Sequence, residues 1–374
     1  MSAASSRLRA RIEELLHSVD IRIDGDRPWD ITIHNPELFS RLLAKGTLGF
    51  GEAYMDGWWD CEALDEFVHR VFRAELADKI RSPRELVDLL KARLTNRQSR
   101  SRAYHVGKHH YDIGNDLYER MLDKRMIYSC AYWKEADDLE SAQEAKLELV
   151  CRKLMLEPGM SVLDIGCGWG GTARYLAERY GVHVTGITVS RQQAELAKER
   201  CQGLDVTILL EDYRNVEGRF DRILSIGMFE HVGYKNYRTY MRTCRRLLHD
   251  DGLFLLHTIG NNRSVHTTEP WIERYIFPNS MLPSAKQISQ AFDGLFVLED
   301  WHNFGADYDR TLMSWYANFH RRWQEIAEKY GDRFYRMWRY YLLSCAGSFR
   351  ARKNQLWQIV LSPRGVPGGY HAPR

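Results

Sequence analysis

Four glycines stand within six residues, Gly166-Cys167-Gly168-Trp169-Gly170-Gly171, directly after the apolar stretch Ser161 to Ile165. Without a Cβ the backbone turns sharply and lets a ligand come close, as a nucleoside cofactor at the carboxyl end of a strand requires. Glycine triads also occur in ordinary turns; the strand before this one and the helix after it strengthen the cofactor reading. Two neighbours favour S-adenosylmethionine over a dinucleotide. Asp164 precedes the turn, where a carboxylate organises the loop and indirectly holds an ammonium. Glu211-Asp212-Tyr213 closes a third strand, with Asp212 placed to accept from an adenine amino group and Tyr213 to pack nearby. The second strand ends in Gly186-Ile187-Thr188-Val189-Ser190, without the acidic residue that usually grips ribose hydroxyls. Thr188, Ser190 and Gln193 are left to make weaker polar contacts.

The elements that must position these residues follow an alternating rhythm. The pattern predicts a helix from about Glu140 to Leu154, the strand Ser161 to Ile165, and a helix Thr172 to Arg179. Strand His183 to Ile187, helix Arg191 to Arg200 and strand Asp205 to Leu210 continue it. Strand Phe220 to Ile226, helix Tyr237 to Leu248 and strand Gly252 to His257 complete it. Such alternation implies a doubly wound, mostly parallel α/β sheet covered on both faces. Beyond an insertion around 261–283, Tyr308 to Lys329 and Asp332 to Arg350 read as long aromatic helices, and Asn354 to Leu361 as a last strand.

The first ninety residues lack this rhythm. Leu8, Ile12, Leu15 and Leu16 recur at helical spacing, Trp29 to Ile33 reads as a strand, and Asp65 to Arg73 and Arg84 to Leu94 read as helices. The expected organisation is a smaller, mainly helical N-terminal domain over 1–90, a basic linker over 91–104 containing Lys91, Arg93, Arg97, Arg100 and Arg102, and a catalytic domain over 105–374.

With 44% hydrophobic and 28% charged residues the chain is expected to be soluble and globular. A net charge of +3 gives no argument for nucleic acid. Seven cysteines without a Cys-x-x-Cys pair speak against a disulfide framework or zinc site and fit a reducing cytoplasm. No apolar run approaches the length of about 20 residues that spans a bilayer, so any membrane role is expected to be peripheral.

Other fragments carry chemistry-bearing residues: His110-Tyr111-Asp112-Ile113-Gly114-Asn115-Asp116, Tyr128-Ser129-Cys130-Ala131-Tyr132-Trp133, Gly227-Met228-Phe229-Glu230-His231-Val232-Gly233, His257-Thr258-Ile259-Gly260 and Asn303-Phe304-Gly305-Ala306-Asp307-Tyr308. Taken singly, Cys130 is as well read as a small buried apolar residue, Glu230-His231 as a surface pair, His257 as a satisfied core histidine and Tyr308 as packing. In this order, together with the glycine turn, they resemble cyclopropane-fatty-acyl-phospholipid synthases, related to the mycolic-acid cyclopropane synthases. The likeness covers nearly the whole chain.

The resemblance implies a seven-stranded S-adenosylmethionine methyltransferase sheet. It also implies methyl transfer to the cis double bond of unsaturated acyl chains in membrane phospholipids, giving a cyclopropane ring through a carbocation deprotonated by bound bicarbonate. On matching positions the bicarbonate pocket is Cys130, Glu230, His257, Ile259 and Tyr308. Cys130 and Ile259 are expected to donate through backbone N–H groups, His257 and Tyr308 through side chains, with Glu230 accepting and orienting His257. Tyr128, Ser129, Gly166, Gly168, Thr188, Gln193, Asp212, Tyr213 and Ile226 are expected to line the cofactor pocket. Trp133, Phe229, Tyr275, Phe304 and Tyr316 are candidates for the acyl tunnel, each equally readable as aromatic core. The resemblance further implies a homodimer, peripherally bound to the inner face of the cytoplasmic membrane. The opening helix, Trp58-Trp59 and the basic linker are candidate lipid contacts, each with a bland alternative in core packing or solvation.

Overall fold

The computed structural model describes residues 3–76 and 113–374. The expected helix at Arg84 to Leu94, the basic linker and His110-Tyr111-Asp112 lie outside these. The described residues form two compact units.

The second unit comprises 113–265, Asn279–Asp307 and Gln355–Arg374 and holds a seven-stranded sheet. Its strands are β1 (Ser161–Ile165), β2 (His183–Thr188), β3 (Val206–Leu210), β4 (Phe220–Ile226), β5 (Leu248–Asn261), β6 (Val297–Asn303) and β7 (Asn354–Ser362). The spatial order is β3-β2-β1-β4-β5-β7-β6. Pairs β1–β2, β1–β4, β2–β3 and β4–β5 are parallel, and β6–β7 is antiparallel. This is the doubly wound α/β fold expected from the alternation.

Both faces are covered, and the pleat shows why. Leu163, Ile165, Ile223, Phe254, Leu256, Ile359 and Leu361 enter one core with Tyr240, Met241, Cys244 and Leu247 of helix Tyr237–Leu247. Their neighbours Val162, Leu224, Leu253, Leu255 and Val360 enter the opposite core with Leu147, Val150 and Leu154. Successive residues on a strand point to opposite faces, so one apolar strand feeds two cores. Burying each such side chain contributes about 1.5–3 kcal/mol.

Helix Asn115–Met121 of this unit went unanticipated, as did two further elements. Helix Ala285–Phe292 is held by a capping box between Ser284 and Gln287, and β6 forms the sheet edge. The capping signature was present in Ser284-Ala285-Lys286-Gln287. Strand β6 was illegible because Val297 and Leu298 are exposed while Asp300 is buried, the reverse of ordinary patterning.

The first unit comprises 3–76, His266–Pro278 and Tyr308–Asn354. Its members thus include helices expected in the C-terminal domain and half of the anticipated insertion. Ile12 and Leu16 of helix Ala3–His17, Phe39, Tyr54, Trp59, Phe67 and Leu343 share its core. Helix Asp332–Arg350 presses onto helix Leu64–Arg73 at Gly347, where a Cβ would stand 2.3 Å from the Asp65 carbonyl oxygen. The strand expected from Trp29 shortens to Thr32–Ile33, paired with Trp59–Asp60. The Asp30 carboxylate instead accepts from the Arg22 and Arg27 N–H groups and folds that segment into a turn. The helix expected over Tyr308 to Lys329 stops at Arg321 and resumes as short turns, with Trp323 packed on Phe319 and Tyr335.

Trp59 is fully buried and stacks on Phe50 at 4.3 Å between centroids, while Arg41 covers Trp58. Trp59, Ile12 and Leu16 are thus core of the first unit, and Trp58 packs partly buried against it. Among the described residues, no helix is long and apolar enough to cross a membrane.

Candidate active site

The glycine turn connects β1 to helix Gly171–Tyr180, and its geometry explains its composition. Gly166 and Gly168 adopt φ of 89° and 54°, in the region that disfavours side chains. A Cβ on Gly166 would come within 2.9 Å of Met228. The N–H groups of Gly166 and Cys167 both donate to the Ile187 carbonyl at 3.0 Å, which ties the turn to the end of β2. Above it opens a cavity at the carboxyl edge of the sheet. Tyr128, Ser129, Gly166, Gly168, Thr188, Gln193, Asp212, Tyr213 and Ile226 all line it, with Asp164 and His231.

Local hydrogen bonds decide what these residues present. Thr188 donates its hydroxyl to Gln193 Oε1 at 2.9 Å, leaving the Gln193 NH2 to act as a donor. Ser190 caps the following helix by accepting from the Gln193 N–H. Donors, not a carboxylate, therefore stand at the end of β2. Asp212 accepts from Arg214 through its backbone N–H, Nε and Nη2, at 3.0, 2.7 and 2.5 Å. Its carboxylate, expected to face an adenine amino group, is engaged by this arginine.

Asp164 is buried with Oδ2 lacking a hydrogen-bond partner among the described residues. Burial pushes its carboxyl up to about 7, opposed by the charge of Lys146. An unpaired carboxylate on the wall of a glycine cradle is costly when the cavity holds nothing cationic. These features fit S-adenosylmethionine, whose ammonium and sulfonium are both positive.

Glu230, His257 and Ile259 converge beside that cavity without lining it. Glu230 sits on a turn after β4, where its Oε1 accepts from the Ile259 N–H of β5 at 2.7 Å. That N–H, expected to donate to an oxyanion, is thus occupied by Glu230 in this structure. Burial raises the Glu230 carboxyl to about 7. His257, two residues before Ile259, is held well below the ordinary imidazole range by burial and is neutral. Gln358 Nε2 lies 3.3 Å from its Nδ1, a contact that the neutral ring accepts when its proton sits on Nε2. Gln358 thus contacts the ring at Nδ1, and Phe304 lies edge-on to it at 5.8 Å. Glu230 Oε2 and His257 Nε2 are both buried without a hydrogen-bond partner among the described residues. A neutral N–H donor beside a carboxyl that still holds its proton near neutrality fits a small oxyanion.

Cys130 is wholly buried and follows Ser129, a wall residue of the cavity. Its thiol donates to the Ala131 carbonyl at 3.2 Å. Tyr308 belongs to the first unit, where its ring packs on Phe349 at 4.5 Å. Of the tunnel candidates, Phe229 stacks on Tyr237 at 4.2 Å inside the sheet core. Tyr275 and Tyr316 lie in the first unit; Tyr275 donates to Glu52 and Tyr316 stacks on His320.

Three polar residues escaped notice: Gln143 and Lys146 on helix Leu139–Lys153, and Gln358 on β7. A signal existed for each. Gln143, Lys146, Leu147 and Val150 share the core-facing i, i+3, i+4, i+7 spacing, and Gln358 interrupts the apolar run Leu356 to Leu361.

Comparison with known proteins shows the family. The model of the mycolic acid cyclopropane synthetase family matches residues 98–359. The cyclopropane-fatty-acyl-phospholipid synthase of Escherichia coli K12 is 57% identical over 364 residues, covering 96% of this chain and 94% of that one. Among solved structures, the cyclopropane synthase MmaA2 of Mycobacterium tuberculosis superposes with a TM-score of 0.65 at 31% identity, covering 69% and 97% of the two chains. Mycolic acid cyclopropane synthase CmaA1, complexed with SAH and CTAB, gives 0.64 at 32% identity, covering 69% and 97%. The chain belongs to the mycolic acid cyclopropane synthetase family and is an S-adenosylmethionine-dependent methyltransferase.

Proposed function

We propose that this methyltransferase acts on the cis double bond of unsaturated acyl chains in membrane phospholipids and forms a cyclopropane ring through a carbocation deprotonated by bound bicarbonate. The observation that carries the reading is that Glu230 Oε2 and His257 Nε2 are each buried and unpartnered among the described residues, with Glu230 tied to Ile259 two residues after His257 on β5. The strong likeness to a phospholipid cyclopropane synthase supports the choice of acceptor.

S-adenosylmethionine supplies an electrophilic methyl group, held by the glycine turn, Ser129, Asp164 and Gln193. An alkene is a weak nucleophile, so the protein's task is alignment and exclusion of water. Methyl addition leaves a cation on the acyl chain, which the faces of aromatic rings stabilise. Bicarbonate, held by the His257 Nε2–H and by Glu230, would supply the base that removes a proton from the added methyl. Ring closure follows as that C–H pair forms the second carbon–carbon bond. His257 is neutral, so it donates without adding a full charge to a site that already holds a sulfonium.

The reading includes a homodimer meeting its substrate at the inner face of the cytoplasmic membrane. Its support is the family resemblance and the chemistry of the substrate, whose head group stays in the bilayer.

Purified protein incubated with S-adenosylmethionine and vesicles of monounsaturated phospholipid is expected to convert acyl chains to products one methylene heavier, with loss of olefinic proton signals. A methyl-branched product retaining unsaturation, or no product despite cofactor binding, refutes the reading. Removal of carbon dioxide from the buffer should slow turnover and added bicarbonate restore it; an indifferent rate refutes the bicarbonate step alone.

A further inference from the structure

We propose that Lys146 is a positioning residue of the cofactor site, whose ammonium sets the Ser129 hydroxyl as a donor toward the cavity. The proposal rests on the cofactor reading alone and is independent of the acceptor lipid and of bicarbonate.

Lys146 is completely buried on the inner face of helix Leu139–Lys153, among Leu147, Val150 and Leu154 of the core. An ammonium there costs stability unless it is paired. Its Nζ donates to Ser129 Oγ at 3.0 Å. An ammonium has no acceptor, so Ser129 Oγ must accept this bond and turn its own proton elsewhere. Ser129 lines the cofactor cavity and Lys146 does not. The serine therefore offers a hydroxyl proton to an anionic group such as a ligand carboxylate, while the cation behind it stays out of reach of a sulfonium.

The same helix fixes the rest of the segment. Gln143 Nε2 donates to the Ser129 carbonyl at 2.8 Å, and Asp123 accepts from the N–H groups of Arg125 and Ile127. Burial lowers the Lys146 ammonium to about 8, opposed by the carboxyls of Asp123 and Asp164. The charge of Lys146 also opposes the burial of Asp164.

The test compares wild type with Lys146→Met and Lys146→Gln by calorimetric titration with S-adenosylhomocysteine, alongside thermal melting and steady-state kinetics. Lys146→Met is expected to weaken S-adenosylhomocysteine binding about tenfold, the scale of one charge-assisted hydrogen bond. Its melting temperature should fall, because removing the lysine alone leaves the Ser129 hydroxyl without its buried partner. The KM for S-adenosylmethionine should rise in parallel while kcat stays nearly unchanged. Lys146→Gln keeps an N–H donor for Ser129 and should recover part of the affinity, and it provides the measurement if the methionine variant fails to fold. Combining Lys146→Met with Ser129→Ala should cost less than the sum of the two single losses, because they share one contact. Wild-type affinity in both Lys146 variants, or strictly additive losses, overturns the proposal. Absence of S-adenosylhomocysteine binding by the wild type overturns the cofactor reading instead.

Discussion

Replacing Glu230 by Gln separates the protonation of this carboxyl from its shape. In the fold, burial raises Glu230 to about 7 from an ordinary 4.5. One pKa unit corresponds to about 1.4 kcal/mol, so holding the group ionised inside the protein costs on the order of 3 kcal/mol relative to the unfolded chain. The sign follows from proton binding. A carboxyl whose folded pKa is raised contributes stability that is complete below the unfolded value and is lost as pH rises through the folded value. That window runs from about 4.5 to about 7. Glutamine does not titrate, and its Oε1 can still accept from the Ile259 N–H, so the variant keeps what the wild type loses. Urea unfolding of both proteins at a series of pH values should show equal stability near pH 4.5 and a growing advantage of Glu230→Gln, levelling above pH 7–8 at about 3 kcal/mol. The other buried titrating groups, Asp164 and Lys146 among them, are common to both proteins and cancel in the difference. At the same time turnover should fall by about 10²–10⁴, the range typical of losing a group that manages a proton, with S-adenosylhomocysteine affinity nearly unchanged. A stability difference that is flat with pH refutes the burial argument, and a large loss of cofactor affinity refutes the separation of the two sites.

Three further outcomes follow from the same geometry. Asp164 is held near 7 and a cationic ligand favours its ionised form, so S-adenosylmethionine affinity should rise about tenfold from pH 6 to pH 8, with proton release detectable by calorimetry in buffers of different ionisation enthalpy. A pH-independent affinity would show that Asp164 does not face the cofactor's charge. Gly166→Ala places a Cβ 2.9 Å from Met228 at a φ of 89°; it should lower stability by about 1–3 kcal/mol and weaken S-adenosylhomocysteine binding, both measurable by melting with and without the ligand. Gln358→Leu removes the contact made to His257 Nδ1; kcat should drop about tenfold, the effect of one lost neutral hydrogen bond, while the KM for S-adenosylmethionine stays constant.

Much of the fold was legible because its signals are local. Strands β1 and β4 and helices Arg191–Arg200 and Asp332–Arg350 begin and end where apolar periodicity and turn residues placed them. The cofactor loop was equally legible, because a glycine that must adopt positive φ leaves its reason in the residue type. The expected cofactor residues fell on one cavity wall because strand carboxyl ends meet at one edge of a parallel sheet.

Pairwise geometry was beyond the sequence. Residue types could nominate Glu230, His257 and Ile259, but only the register of β5 beside β4 puts the Ile259 N–H on Glu230 and leaves Oε2 bare. Asp212 lines the cavity as expected, but only the fold shows that Arg214, two residues on, shares its carboxylate. Trp58-Trp59 and the opening helix read as candidate lipid contacts because an amphipathic pattern names an apolar face without naming what covers it; in the fold Trp59, Ile12 and Leu16 share a core with Phe39, Phe67 and Leu343. Lys146 and Gln358 carry the same lesson. By itself the sequence determined a nucleoside-cofactor loop at the edge of a doubly wound sheet. What tertiary structure decided was which polar atoms are spent on each other and which remain for a ligand, since burial and hydrogen-bond partnership are properties of chain segments brought together from distant positions.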